Sequence, residues 1–491
     1  PFLYLKTPVL GYTIVNMFDV IVIGAGVSGA FVTRNLSRYE LNVVCLEAKN
    51  DVGDVSSMAN SAIVHSGYDP LPGTNKAKFN VLGNKMYPSI CKELDVSFSP
   101  IGSMTLGFNE ENIATLASLK ERAKENGVEA ILLDKEETLK LEPNISSSVM
   151  GSLLCPTAGI INPFTLVAHC FENALDNGAK LELNCKVTSI KKEDGIYVLE
   201  TTKGIYKAKM VINCAGLYAD NIASMVEPID WHISPRKGEY YVLDHFKPDF
   251  VNHVLFPLPT EKGKGILVTR TTSNNYLVGP SSEFVDSKDD TSTDSLTLGE
   301  VKKSAISMVP SIPFYEQIRT FSGLRATPST HDFIISYSKN DKYFINVAGI
   351  ESPGLASSPA IGKYVVEELV KPVLNMKEKD NFNPNIKPYI KMNDLSIEER
   401  NEIIKNNPKY GQMICNCEKI SLGEIEDVLS RSLPCLTIKA VKKRTRAGFG
   451  KCQGGFCQSK VLFLLADKLN ISPLEVNYDG EGSNILKEES K

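Results

Sequence analysis

Three groups of residues in this 491-residue chain carry chemistry by type and spacing. The first is Gly24-Ala25-Gly26-Val27-Ser28-Gly29, a G-x-G-x-x-G run with an acidic residue, Glu47, 18 positions after its last glycine. That pattern holds a dinucleotide. Gly24 permits a tight turn, Gly26 lets backbone approach a pyrophosphate, and Gly29 lets helix and strand close together. Glu47 accepts hydrogen bonds from ribose hydroxyls and repels a 2′-phosphate. The second group is Cys415-Asn416-Cys417, followed after 34 residues by Cys452 and after four more by Cys457. Four thiolates in two close pairs can hold zinc or an iron–sulfur cluster. Gly448, Gly450, Gly454 and Gly455 would let backbone amides approach the sulfurs. Lys442, Lys443, Arg444, Arg446 and Lys451 would offset the negative charge or form a solvated, partner-facing patch. The third group is His65 and Arg325. An imidazole titrates where a general base must, and a guanidinium fork fits a carboxylate or phosphate.

These residues need elements to position them. Phe18–Ile23 is a buried apolar run, residues 30–39 read as a helix, and Leu41–Leu46 is a second strand ending at Glu47, so the glycine loop sits in a βαβ unit. Thr165–Asn177 has helical spacing. Leu181–Ile190, Gly204–Lys209 and Lys209–Cys214 read as strands, the last running into Ala215-Gly216. A second glycine-rich element, residues 348–354, precedes a helix expected over Leu355–Leu369 and would bring another helix N-terminus to the ligand. No second dinucleotide fingerprint follows, which argues for one tightly held cofactor.

Composition sets the limits. Apolar residues make up 42%, charged residues 23%, and the net charge is −4, so disorder is excluded and nothing announces nucleic acid. No apolar run reaches the roughly 18–20 residues that span a bilayer. Of eleven cysteines, Cys45, Cys91, Cys155, Cys170, Cys185 and Cys214 are scattered singly and, with Cys435, are expected to pack as small hydrophobes. No secretory signal precedes them, and a cytoplasmic protein is expected. Residues 1–16 read as an extension before Met17, 17–385 as the main domain, 386–410 as a connector, 411–475 as the cysteine domain and 476–491 as a frayed tail.

The chain resembles the FAD-dependent oxidoreductases of the D-amino-acid oxidase superfamily. The resemblance rests on VIGAGVSGA with Glu47, SSMANSAIVHSGYDPLPGT at 56–74, INPF at 161–164, VINCAG at 211–216, PRKGEYY at 235–241, GLRA at 323–326 and AGIESPGLASSPAIG at 348–362. The large subunits of anaerobic glycerol-3-phosphate dehydrogenases and the L-2-hydroxyglutarate dehydrogenases look nearest. Where the former typically show an arginine after the His65 turn, this chain has Tyr68-Asp69. Residues 411–475 resemble the bacterioferritin-associated-ferredoxin-like [2Fe-2S] domain, with Cys415, Cys417, Cys452 and Cys457 as ligands.

The resemblance implies an α/β fold: a Rossmann-like FAD-binding domain, an inserted antiparallel-sheet substrate domain, and a small helical cluster domain. FAD would lie against Gly24–Gly29, Glu47 and Ala48, with Ser56, Ser57, Asn60 and Ser61 lining the flavin. Val187 would meet the adenine side, Ala215 and Gly216 would pass nearby, and Gly354 and Leu355 would cap the pyrimidine end. His65 would act as base or orienting group, Arg325 as anion clamp and Tyr240 as hydrogen-bond donor, with Arg236, Lys237, Tyr68 and Lys264 as weaker lining candidates. The expected reaction is oxidation of sn-glycerol 3-phosphate, or alternatively of an L-2-hydroxyacid. An oxidase that hands electrons to O2 needs no cluster, so a dehydrogenase serving a partner protein is expected, with peripheral membrane association open. A non-catalytic electron-transfer subunit is the alternative of another class.

Overall fold

The apolar run predicted as the first strand lies in the strand Ile14–Ile23, whose Val20, Ile21 and Val22 are fully buried. A strand buried on both faces belongs in the middle of a parallel sheet. It pairs in parallel with Val43–Leu46 on one side and Gly204–Asn213 on the other. Lys180–Glu182 and Phe344–Ala348 extend the parallel part, and Val187–Glu193, Ile196–Thr201 and Ile334–Tyr337 add antiparallel edges to complete eight strands. Helices Val27–Leu36, Asn75–Glu93, Pro163–Asp176 and Gly354–Tyr364 pack together beside this sheet in the largest core. The computed structural model describes residues 14–259 and 265–488; Lys264 and residues 1–13 lie outside the described residues.

A second, nine-stranded sheet has the long antiparallel pair Ile233–Leu243 and Gln317–Pro328 as its spine. The expected substrate domain is therefore present, but it is assembled from two excursions. Ser103–Gly107, Ile131–Asp134 and Gly151–Cys155 come from before the helix Pro163–Asp176, and the other strands come from after it. The two parts meet where Val254–Phe256 pairs in parallel with Ser103–Gly107.

The cysteine domain has its own core, built from helices Leu422–Leu429, Ile438–Thr445 and Gln458–Leu469. Capping fixes where they start: Ser421 and Glu424 form a reciprocal capping box, and Thr437 accepts from the Ala440 amide. Arg446, at φ +70°, stops the second helix and turns the chain toward Cys452.

Several elements differ from the sequence reading. Leu181–Ile190 is two short strands, because residues 180–182 pair with Val43–Leu46 while residue 187 onward pairs with Ile196–Thr201. Gly204–Cys214 is instead one continuous strand to Asn213. The helix expected to Leu369 changes to π-helical winding at Val365–Val370. The polar connector is anchored rather than loose: Tyr389 stacks on His169 at 4.4 Å, its hydroxyl donates to Glu172, and Arg431 lies over its ring at 3.4 Å. The expected tail folds back. Val476 is buried in the cysteine-domain core, and Asp479 bonds both Asn50 and Lys439.

The basic run also differs. Lys443 and Arg444 are buried and face the nucleotide-binding domain, not solvent or a partner. Lys443 lies 2.7 Å from Asp51 and 2.8 Å from Asp54, and Arg444 donates two hydrogen bonds to Asp51, at 2.7 and 3.0 Å. These pairs clamp the cysteine domain over the mouth of the nucleotide-binding domain.

Candidate active site and cluster site

The glycine loop stands at the carboxyl ends of the parallel strands, where ligands bind in open α/β sheets. Gly24 has φ +101°, and a Cβ there would lie 2.5 Å from the Cys214 carbonyl oxygen. A Cβ on Gly29 would lie 1.9 Å from the Gly24 carbonyl oxygen. Both positions therefore require glycine. The Ala25 amide donates to Glu47 at 2.6 Å, and the Lys49 amide donates to the other carboxylate oxygen at 2.8 Å. Each oxygen keeps a lone pair for a ribose hydroxyl. Burial pushes the Glu47 carboxyl up from its ordinary value. Ala48 is exposed beside it, the Cys185 amide bonds the Glu47 carbonyl two residues before Val187, and Ala215 lies against Gly24 just before Gly216.

The loop 55–62 is bracketed by two non-glycine residues in the left-handed region, Val55 at φ +60° and Ala62 at φ +58°. Such conformations persist only where surrounding contacts enforce them. Ser57 accepts from the Val27 amide at 2.9 Å and so supports the helix start, while the first-turn amides of Ser28 and Gly29 have no intrahelical acceptor. Ser56 donates to the Leu324 carbonyl at 2.6 Å. Asn60 donates to the carbonyls of Ser56 and Ser57 and accepts from the Ala62 amide. Of the four side chains expected to line the flavin, Asn60 thus shapes the loop itself, while Ser56 and Ser57 tie the loop to Leu324 and to the helix start. Ser61 reaches across to Tyr240 at 3.0 Å.

Tyr240 joins the loop to the anion clamp. Its ring stacks on Phe321 at 4.6 Å, and its oxygen accepts from Arg325. Burial pushes the phenol up, and Arg325 opposes that. The Arg325 guanidinium is itself desolvated, which lowers its pKa. Apart from Tyr240 it makes long contacts, 3.4 Å, to the Ser281 carbonyl, and no carboxylate bonds it among the described residues. The nearby carboxylate, Glu351, is committed to Lys76, Arg236 and Thr327, each at 2.7–2.8 Å. Arg236 therefore serves Glu351, not Glu239, and Lys237 serves Asp290 at 3.0 Å with Glu239 at 3.7 Å. Glu351 itself was missed, although it stands inside the quoted 348–362 motif. Tyr68 is a core residue bonded to Thr105.

His65 follows the two-residue strand Ile63–Val64 and faces Phe256 at 5.8 Å. Its carbonyl accepts from Asn80 and Asn84, which fixes the backbone that carries the ring. Gly354 and Leu355 open a helix with no side-chain cap; the Gly354 amide donates back to the Glu351 carbonyl, and the next amides of the first turn have no intrahelical acceptor, as the pyrimidine end of a flavin would need.

The four candidate ligand cysteines converge, but the pairs cross between the sequence segments. The Cys415 and Cys457 thiols act most strongly on each other, as do those of Cys417 and Cys452, and Cys415 and Cys452 also act across the pairs. Four converging thiols suit the two irons and four thiolates of a [2Fe-2S] cluster. The Glu418 and Gly448 amides donate to Cys415, and the Gly454 and Phe456 amides to Cys452. These are the amide contacts the glycines were expected to allow. Cys415 and Cys457 are buried, whereas Cys417 is exposed.

Residues 19–368 match the FAD dependent oxidoreductase family. The chain belongs to the FAD-dependent oxidoreductases. Residues 413–467 match the BFD-like [2Fe-2S] binding domain. A glycerol 3-phosphate dehydrogenase of Caloramator mitchellensis is 44% identical over 96% of this chain and 98% of its own length. A glycerol 3-phosphate oxidase of Mycoplasma genitalium is 36% identical over 75% of this chain and 97% of its own. The FAD-bound L-alpha-glycerophosphate oxidase structure from Mycoplasma pneumoniae superposes with a TM-score of 0.73 and 32% identity, covering 77% of this chain and all of that one.

This oxidoreductase carries FAD and a [2Fe-2S] cluster as its cofactors, and its residues fit both. The glycine cradle admits no side chain, and the four thiols converge. Among the described residues no helix is long and apolar enough to cross a membrane. Cys452→Ser is expected to abolish the cluster's visible absorbance while substrate still bleaches the flavin. Cys435→Ser, which alters a buried thiol outside the four, is expected to keep both signals. Iron, sulfide and zinc analysis of anaerobically purified protein checks this, and stoichiometric zinc without iron would refute the cluster.

Proposed function

We propose that this oxidoreductase oxidises sn-glycerol 3-phosphate to dihydroxyacetone phosphate and passes the electrons through its [2Fe-2S] cluster to a partner protein. One observation carries the substrate side: Arg325 is a desolvated cation that no carboxylate bonds among the described residues, joined to the flavin-lining loop through Tyr240 and Ser61. Such a group costs free energy until an anion arrives. The glycerol 3-phosphate relatives support a phosphate as that anion. The cluster domain supports a dehydrogenase over an oxidase. The C. mitchellensis dehydrogenase spans essentially this whole chain, whereas the M. genitalium oxidase is matched almost end to end by only three quarters of it.

FAD, when bound, supplies an acceptor for the hydride from the substrate carbinol carbon. The rest falls to the chain. Arg325 holds the anionic group and fixes register, Tyr240 orients Arg325, and His65 accepts the hydroxyl proton as the carbonyl forms. His65→Asn is expected to slow anaerobic flavin reduction by about 10²–10⁴-fold with FAD retained, as loss of a general base does. Unchanged reduction kinetics would remove His65 from that role. The reading as a whole is tested by spectra of the anaerobic holoenzyme before and after adding glycerol 3-phosphate or L-2-hydroxyglutarate. Bleaching by the first supports it. Bleaching by the second alone reassigns the substrate, and silence with both favours a non-catalytic subunit.

A further inference from the structure

A cavity of about 590 Å³ lies between the two domains and is distinct from the expected FAD cradle. One wall is the outer side of the flavin-lining loop, Met58 to Asn60; another is the strand segment from Arg319 to Leu324; the cluster domain closes it with Lys442, Phe449 and Gln453. Of the residues expected to hold FAD, only Asn60 touches it. Arg325, Tyr240, Ser61 and His65 do not line it, and the Tyr240–Phe321 stack stands between Arg325 and the cavity. It is therefore a second space, between the flavin-lining loop and the loop that carries Cys452.

Its lining has an uncompensated charge. Lys442 is only 6% exposed and has no ion pair among the described residues. The carboxylates around it are already used: Asp51 and Asp54 by Lys443 and Arg444, Asp479 by Lys439, and Glu418 by Arg446. Arg319, at the mouth, bonds no carboxylate among the described residues, and its charge acts on Lys442. A buried cation that faces a cavity with no ion pair among the described residues marks a place for an anion, and Arg319, which is exposed, adds positive potential beside it. The apolar part of the lining is aromatic. Phe164 and Phe449 face each other at 5.4 Å, and the Lys442 ammonium lies 4.8 Å from the Phe449 ring centre. The space far exceeds a phosphate ion and falls in the range of small-molecule sites, about 300–1,000 Å³.

We propose that this cavity binds a phosphorylated aromatic molecule of mononucleotide size, its phosphate on Lys442 and Arg319 and its ring against Phe164 and Phe449. The competing role for Lys442 is counter-ion to the cluster, because the thiolates of Cys452 and Cys457 also act on it. That role requires neither Arg319 nor Phe164.

The holoenzyme, with FAD and cluster content verified by absorbance, is titrated by calorimetry with flavin mononucleotide, adenosine monophosphate and inorganic phosphate in turn. The expected result is one site per chain for at least one of the nucleotides, at least about tenfold tighter than for phosphate. Arg319→Gln, Phe164→Ala and Lys442→Gln should each weaken that binding by about tenfold or more. Cluster absorbance should be unchanged in the first two. Whichever nucleotide binds identifies the ring. The proposal is overturned if neither nucleotide binds, if phosphate binds as tightly as both, or if Arg319→Gln and Phe164→Ala leave the affinity unchanged. Loss of the cluster in Lys442→Gln with no effect of the other two assigns Lys442 to the cluster alone.

Discussion

Arg325→Met is expected to lower kcat/KM for glycerol 3-phosphate by about 10²–10³-fold while FAD stays bound, which is what losing one partner of a buried charge pair costs. The guanidinium is desolvated, and among the described residues it bonds only the Tyr240 oxygen and, at 3.4 Å, the Ser281 carbonyl. Glu351 cannot neutralise it, because Lys76, Arg236 and Thr327 already occupy that carboxylate. Methionine fills the space without the charge, so the anionic group loses its partner. Arg325→Lys restores charge but not the planar fork and should recover part of the loss. Stopped-flow flavin reduction across substrate concentrations separates weaker binding from slower hydride loss. An unchanged kcat/KM would place the anion elsewhere.

Asp51→Asn is expected to uncouple the two redox halves. Asp51 is buried, and its carboxylate alone holds both Lys443 and Arg444. Burial alone would push its pKa up; Arg444 and then Lys443 outweigh this and hold it down to about 2. Removing the charge leaves the buried Arg444 without a carboxylate among the described residues, a loss of about 3–5 kcal/mol for such pairs, while Lys443 keeps Asp54. Substrate should still bleach the flavin, the paramagnetic signal of the reduced cluster should appear far more slowly, and the 386–410 segment should become sensitive to protease. A cluster signal that keeps pace with the flavin would show that the clamp is unnecessary. The pH dependence has a definite sign. The folded pKa lies below the ordinary 3.8, so the stabilisation is complete above that value and is lost as pH falls toward 2. In the wild type the clamp therefore weakens only in strong acid.

What could be read from the chain was what is local in it. The glycine loop, Glu47 and the two cysteine pairs lie within short segments whose spacing reflects their own geometry. The parallel core strands were legible because burial on both faces leaves continuous apolar runs. The clamp was not legible, because Asp51 and Arg444 are 393 residues apart and neither looks unusual in its own segment. Ser56 and Asn60 carried the right motif, yet their bonds to Leu324 and to the loop backbone depend on a tertiary approach at Gly323, where a Cβ would lie 1.9 Å from the Ala59 carbonyl oxygen. The polar segment after Asn477 had the composition of a tail. Its order comes from Asn50 and Lys439, partners that composition does not report.

The convergence of the four cysteines bears on how the protein responds to iron supply. Cys415 and Cys417 come from one segment and Cys452 and Cys457 from another, and their thiols act on one another across that gap. A cluster held by all four would tie the hairpin at residues 413–421 to the turn at 449–457, closing the intervening chain into a loop. The helix Ile438–Thr445, which carries both clamp cations, lies inside that loop. A chain synthesised under iron scarcity would lack this staple and hold its clamp helix less firmly. Metal loading thereby becomes a condition for the finished, docked enzyme, and iron-starved copies would be the first exposed to cellular proteolysis.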